Sequence, residues 1–228
     1  MVVMGPDQPK NDSGKTGLHE TGGFGELQDS LMPMQPSDHE KANRGSRERG
    51  LEEPIQVEEV ILQSYLFLGY PTALNAFALW RGISGIEAKE GVPDDWTGWG
   101  ERGDAVCRTV YGGQYDGLRR NVRALHPDME RWMVVEGYGK VLGRPGLDLA
   151  TRELCIAALL AVLDTPRQLY SHLRGALSAG ATPKEVEEAL TLACNHLHPE
   201  DRAGRWAVWD RVLDRADDTQ AEITRETR

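Results

Sequence analysis

Three cysteines in 228 residues, Cys107, Cys155 and Cys194, are odd in number and far apart. They make neither a disulfide framework nor a Cys-x-x-Cys pair, which points to a reducing cytoplasm. Basic clusters are also scarce. Lys and Arg number 26 against 36 Asp and Glu, so the net charge is −10. Apart from Arg44, Arg47 and Arg49 the basic residues are scattered. Phosphate neutralisation needs them grouped, so nucleic acid is not an expected partner. Long apolar runs are missing too. The longest, after Glu153, is too short to span a bilayer, and no membrane partner is expected. The first ten residues hold no basic segment followed by an apolar one, so they do not read as a secretory signal. Alternating strand patterns are absent, and the expected fold class is all-α.

Residues 1–50 are rich in Gly, Pro, Asp, Ser and Lys without a period. They cannot bury enough surface to offset ordering entropy and are expected to be mostly disordered. Val57, Val60, Ile61, Tyr65, Leu66 and Leu68 then recur at helical spacing, with Gly69 as a stop and Pro71 as a first-turn proline. Residues 83–113 read as a linker, holding Gly91-Val-Pro-Asp-Asp and Trp96-Thr-Gly-Trp-Gly. Helices are expected from Asp116 to Ala124 and from Met129 to Val141, divided by His126-Pro127. Asp148 is a good N-cap for the apolar helix ending near Leu163. Pro166 opens the next helix and Gly180 closes it. Thr182-Pro-Lys-Glu185 has the form of a capping box. Residues 217–228 form a polar tail.

An internal repeat is visible. Val57-Glu-Glu59 superposes without gaps on Val186-Glu-Glu188, and Leu68, Ala78 and Trp80 then meet Leu197, Ala207 and Trp209. Allowing one extra residue, Arg44-Gly45 falls on Arg174-Gly175, which sets Ala42 at the place of His172. Residues 51–82 therefore look like a partial copy of a unit found whole in 114–216. Such a half-unit must pack on the other copy or on another subunit, so a homo-oligomer is expected. Tyr65, Phe67, Phe77 and Trp80 would supply much of that contact.

The chemistry-bearing stretch is Glu153-Leu-Cys-Ile-Ala-Ala-Leu-Leu-Ala-Val-Leu, followed by Asp164-Thr-Pro166 and then Gln168-Leu-Tyr-Ser-His172-Leu-Arg174-Gly175. An acid opens a nearly all-apolar helix and a histidine sits on the next. With Arg144-Pro-Gly-Leu-Asp148, Thr151-Arg-Glu153 and the capping box, this resembles the helical hairpin of the carboxymuconolactone decarboxylase family and its relative, alkyl hydroperoxidase D. The resemblance implies an alkyl hydroperoxidase D-like helical bundle of one and a half repeats. It implies a cofactor-independent decarboxylase or proton-transfer enzyme acting on a small carboxylated or lactone substrate, with His172 and Glu153 as the catalytic pair. The hydroperoxidase carries a Cys-x-x-Cys pair ahead of its histidine, and here those places hold Thr165 and Gln168. That substitution argues against thiol peroxidase chemistry. The half-copy without a histidine leaves a non-catalytic helical interaction protein as a third reading. Asn195-His-Leu-His198 also replaces the family's usual Gly-x-Pro turn.

Decarboxylation beside a lactone builds negative charge, and so calls for a proton donor and cationic or hydrogen-bonding groups. His172 suits proton transfer near neutral pH. Arg174 is a candidate clamp for a substrate carboxylate, and Glu136 a candidate second carboxyl. Centring the hairpin on Asp164-Thr165 puts His172 level with Ala157, one turn or about 6 Å from Glu153. Helical side chains lean toward their own N-termini, so these two should lean apart, bridged by water or substrate. The three cysteines read as inert packing. His196 and His198 read as a polar helix end rather than part of a metal site.

Overall fold

The computed structural model describes residues 54–88 and 96–226. The expected disorder of 1–50 and the alignment of Ala42 with His172 fall outside them. Among the described residues every regular element is helical, as the missing strand pattern implied. None of these helices is long and apolar enough to cross a membrane.

Helix α1 (Pro54–Ser84) is two helices joined at Gly69, whose φ of 77° and ψ of 165° belong to a region essentially open only to glycine. Pro71 lies at the first turn of the second piece, so stop and restart fall where the sequence placed them. The alignment of Trp80 with Trp209 does not carry over to packing. Trp209 is buried in the core, whereas Trp80 is half-buried and its buried indole N–H has no partner among the described residues.

The expected linker is the main correction. Within 83–113 lies helix α2 (Trp99–Tyr111), with Gly103, Cys107 and Val110 buried along one stripe. Gly100 and Gly103 look like breakers in the sequence, and tertiary contact overrides their low helix propensity. Gly103 is there to remove bulk. A Cβ on it would lie 2.0 Å from the Val134 carbonyl oxygen, and one on Gly139 would lie 2.0 Å from the Trp99 carbonyl oxygen. Two backbones therefore cross in direct contact.

Helix α3 (Tyr115–Leu125) ends at His126, whose extended backbone and ring Nδ1, accepting from the Asp128 N–H, start α4 (Pro127–Trp132). Buried Glu130 on α4 is held by Arg119 and Arg123 of α3. The stretch expected to continue as one helix changes pitch instead. Met133–Leu142 is a π-helix, and the Gly143 N–H bonds the Tyr138 carbonyl at 2.8 Å in the same i→i+5 pattern.

Helix α5 (Leu149–Val162) is capped by Asp148, which accepts from the Thr151 N–H at 2.9 Å and its hydroxyl at 2.7 Å. Asp164, at φ 53°, turns the chain into α6 (Pro166–Ser178). Gly180, at φ 108°, and the bond from Ala181 N–H to Ala176 carbonyl end α6 in a Schellman-type turn. Helix α7 (Pro183–Cys194) opens on the complete Thr182–Glu185 capping box, and α8 (Pro199–Glu226) closes the chain. The core is built between these elements, with Ile156, Leu160, Leu169, Leu173, Leu190 and Trp209 at its centre.

A buried polar latch, not anticipated, ties α1 to the entry of α5. Arg152, with no exposed surface, donates to Glu59 at 2.8 Å, to Gln63 and to the carbonyls of Arg144, Pro145 and Leu147. Arg144 meets the same Glu59 carboxylate through two nitrogens, at 3.1–3.2 Å. Gln63 in turn donates to the Arg152 carbonyl. One carboxylate thus serves two guanidiniums, and neutral acceptors take up the remaining donors of Arg152, as a buried charge requires.

Candidate active site

Helices α5 and α6 bring Glu153 and His172 together. Glu153 is fully buried, and its Oε2 lies 2.7 Å from His172 Nδ1. The expected outward lean and bridging molecule are thus corrected to a direct hydrogen bond. Two features close the gap. Thr165 N–H reaches back to the Leu160 carbonyl, tightening the turn asymmetrically rather than about Asp164-Thr165. Gly175, one turn beyond His172, leaves room for the carboxylate, since a Cβ there would lie 2.8 Å from Glu153 Oε2 and 2.7 Å from Val110 Cγ1.

The bond also fixes the ring. A carboxylate accepts, so the geometry predicts the hydrogen on Nδ1, with Nε2 left as the exchanging nitrogen. Phe67 of α1 meets the imidazole edge-to-face with centroids 5.8 Å apart. The second oxygen of Glu153, Oε1, is buried without a hydrogen-bond partner among the described residues. Orphaned charged acceptors are costly in native interiors and rare there.

Tyr138, on the π-helix, donates its hydroxyl hydrogen to Tyr111 of α2 at 2.8 Å, with the rings edge-to-face. Burial raises the phenol pKa of both, and the nearby Glu153 charge pushes in the same direction. Cys107 of α2 is also within reach of that charge, and burial pushes its thiol up to about 12. A thiol held that high is not a ready nucleophile. Burial raises Cys155 and Cys194 as well.

The other two candidates stand apart from the pair. Arg174 is exposed, with its guanidinium 5.8 Å from the Tyr170 ring. Glu136 accepts from the Tyr65 hydroxyl at 3.0 Å and lies 3.5 Å from Lys140. Neither is hydrogen-bonded or ion-paired to Glu153 or His172. Tyr138, two positions after Glu136, is the residue of that segment near the pair, because a two-residue step crosses to another helix face. Tyr111 carries no signal in the sequence, where 83–113 reads as a linker. Among the described residues no group of three His, Cys, Asp or Glu could hold a metal ion.

Residues 127–195 match the model of the carboxymuconolactone decarboxylase family. The chain is also 26% identical over 146 residues to Peroxisomal protein 2 of Schizosaccharomyces pombe (strain 972 / ATCC 24843), across 60% of this chain and 67% of that protein. The matched segment contains Glu153, the turn and His172, and over it this all-α chain is similar to the carboxymuconolactone decarboxylase family, whose fold is the alkyl hydroperoxidase D-like helical one.

Proposed function

We propose that the Glu153–His172 pair is an acid–base unit acting by proton transfer, without a cofactor, on a small carboxylated or lactone substrate. The observation that carries this reading is the 2.7 Å bond between a fully buried carboxylate and an almost buried imidazole. In a decarboxylation the bond from carbon to the carboxylate breaks, and its electron pair stays on carbon in conjugation with the lactone carbonyl. The protonated imidazole then delivers the Nε2 hydrogen to that carbon, while Glu153 holds the ring and balances its charge. Thr165 and Gln168 at the places of the redox pair, and thiols raised by burial, weigh against a peroxidase.

The test is release of labelled carbon dioxide from a γ-lactone bearing a ¹³C-carboxyl group beside the ring double bond, followed by NMR. Wild type should release it, and His172→Gln should slow release by about 10²–10⁴-fold. No release by wild type, or equal release by the variant, would overturn the reading.

We further propose a homo-oligomer, supported by Tyr70, Leu74, Leu79 and Ile83 exposed on the outer half of α1. Composition favours a reducing cytoplasm. The relative named for the peroxisome makes that organelle the alternative compartment.

A further inference from the structure

The first piece of α1 reaches toward both members of the Glu153–His172 pair along one stripe. Glu59, Gln63 and Phe67 are spaced four apart, so they follow one another along one helix face at about 6 Å per step. Glu59 holds the Arg152 guanidinium at 2.8 Å. Gln63, with no exposed surface, donates to the Arg152 carbonyl at 3.2 Å and accepts from the same guanidinium at 3.4 Å. Arg152 precedes Glu153, so these bonds fix α1 against α5 beside the carboxylate. One turn further along, Phe67 stands edge-to-face against the His172 imidazole on α6, with centroids 5.8 Å apart, inside the range where aromatic rings attract. Glu153 has no exposed surface and His172 keeps 9%, so solvent meets the pair at the imidazole, the member that Phe67 packs on. Phe67 is itself half-buried and touches both solvent and the ring. None of the three residues lies in the segment 127–195 that carries the family likeness.

Resting on the acid–base reading of the pair, we propose that α1 belongs to the site, with Phe67 as a positioning residue for the His172 imidazole. The bond to Glu153 restrains one ring nitrogen and leaves the imidazole free to rock about it. Contact with Phe67 removes that freedom and shelters the bond between Nδ1 and Oε2 from water, which is how a supporting shell preorganises an acid–base group. The bonds from Glu59 and Gln63 to Arg152 set where Phe67 stands. The half-repeat that has no histidine of its own thus serves the histidine of the whole one.

The test is the rate at which the His172 Nδ1 hydrogen exchanges with water, read by NMR in the full chain labelled with ¹⁵N-histidine and assigned with His172→Gln. Phe67→Ala should speed exchange by about tenfold, whereas Phe67→Tyr, which keeps the ring, should stay within about threefold of wild type. Leu74→Ala, at an exposed place beyond the Gly69 kink, is the control and should change nothing. Gln63→Ala should also speed exchange. Combined with Phe67→Ala it should be no faster than Phe67→Ala alone, because Gln63 acts through the ring it places. A merely structural role would add the two effects and raise backbone amide exchange at Leu160 and Leu173 as well. If Phe67→Ala does not fold, Phe67→Leu, which also lacks the ring, takes its place. Exchange unchanged in the folded Phe67 variant, or additive effects of the two substitutions, would overturn the inference. A wild-type ring with no hydrogen on Nδ1 would instead fault the acid–base pair itself. An inactive lactone assay with the Phe67 effect intact would fault the proposed reaction alone.

Discussion

Replacing Gly103 by alanine sets two known effects against each other. Alanine in a helix interior is favoured over glycine by about 1 kcal/mol. Against that, the new methyl would lie 2.0 Å from the Val134 carbonyl oxygen and 2.9 Å from the Gly139 nitrogen. A carbon–oxygen contact needs about 3.3 Å, so α2 must retreat from the π-helix by roughly 1 Å. The obstacle is backbone on both sides, so no rotamer change relieves it. Overpacking of this kind costs about 1–3 kcal/mol and falls at the upper end where nothing can yield. A net loss of about 2 kcal/mol is expected once the propensity gain is subtracted. Gly100, on the same helix with nothing within 4 Å of its would-be Cβ, is the control. Gly100→Ala should be neutral or stabilising by up to about 1 kcal/mol. Urea denaturation followed by circular dichroism reads both. Because α2 carries Cys107, Val110 and Tyr111, Gly103→Ala should also disturb the Tyr111–Tyr138 bond. A Gly103→Ala protein as stable as Gly100→Ala would refute the close crossing of α2.

Glu59→Ala removes the carboxylate shared by Arg152 and Arg144, leaving Arg152 buried without its countercharge. A loss of about 3–5 kcal/mol in unfolding free energy is expected, and a loss below 1 kcal/mol would show that the latch is not formed. The raised Cys107 pKa predicts a pH dependence. Between the ordinary thiol value of 9.0 and about 12, the unfolded chain loses this proton while the folded chain keeps it. Its contribution to stability is therefore complete below pH 9 and is lost as pH rises toward 12. Asp104, Glu153, Arg108 and Arg119 supply the surrounding charge, and burial outweighs them. The fall in melting temperature from pH 8 to pH 11 should be smaller in Cys107→Ala than in wild type; equal falls would contradict the burial effect.

The parts legible in sequence are those governed by local rules. Asp148, Pro166, Gly180 and the Thr182–Glu185 box were read correctly because capping depends on a few consecutive residues. Glu153 and His172 were picked out by their place on the apolar hairpin. Their direct contact was not, since it depends on turn asymmetry and on the space left by Gly175. Helix α2 is not legible in the sequence, because its glycines look like breakers until the partner backbone is known. Arg152 illustrates the same limit. Its burial is stabilised by Glu59, 93 residues earlier in the chain, and no local pattern carries that distance.

The pairing of Glu153 with His172 can be tested without knowing the substrate. Long-range ¹H–¹⁵N correlation spectra of the imidazole report which ring nitrogen bears the hydrogen in the neutral form. The geometry predicts Nδ1–H in wild type, with Nε2 unprotonated, and a shift toward the Nε2–H tautomer in Glu153→Gln, whose amide can donate to Nδ1. A wild-type ring carrying its hydrogen on Nε2, or a tautomer unchanged by Glu153→Gln, would contradict the acid–base pair.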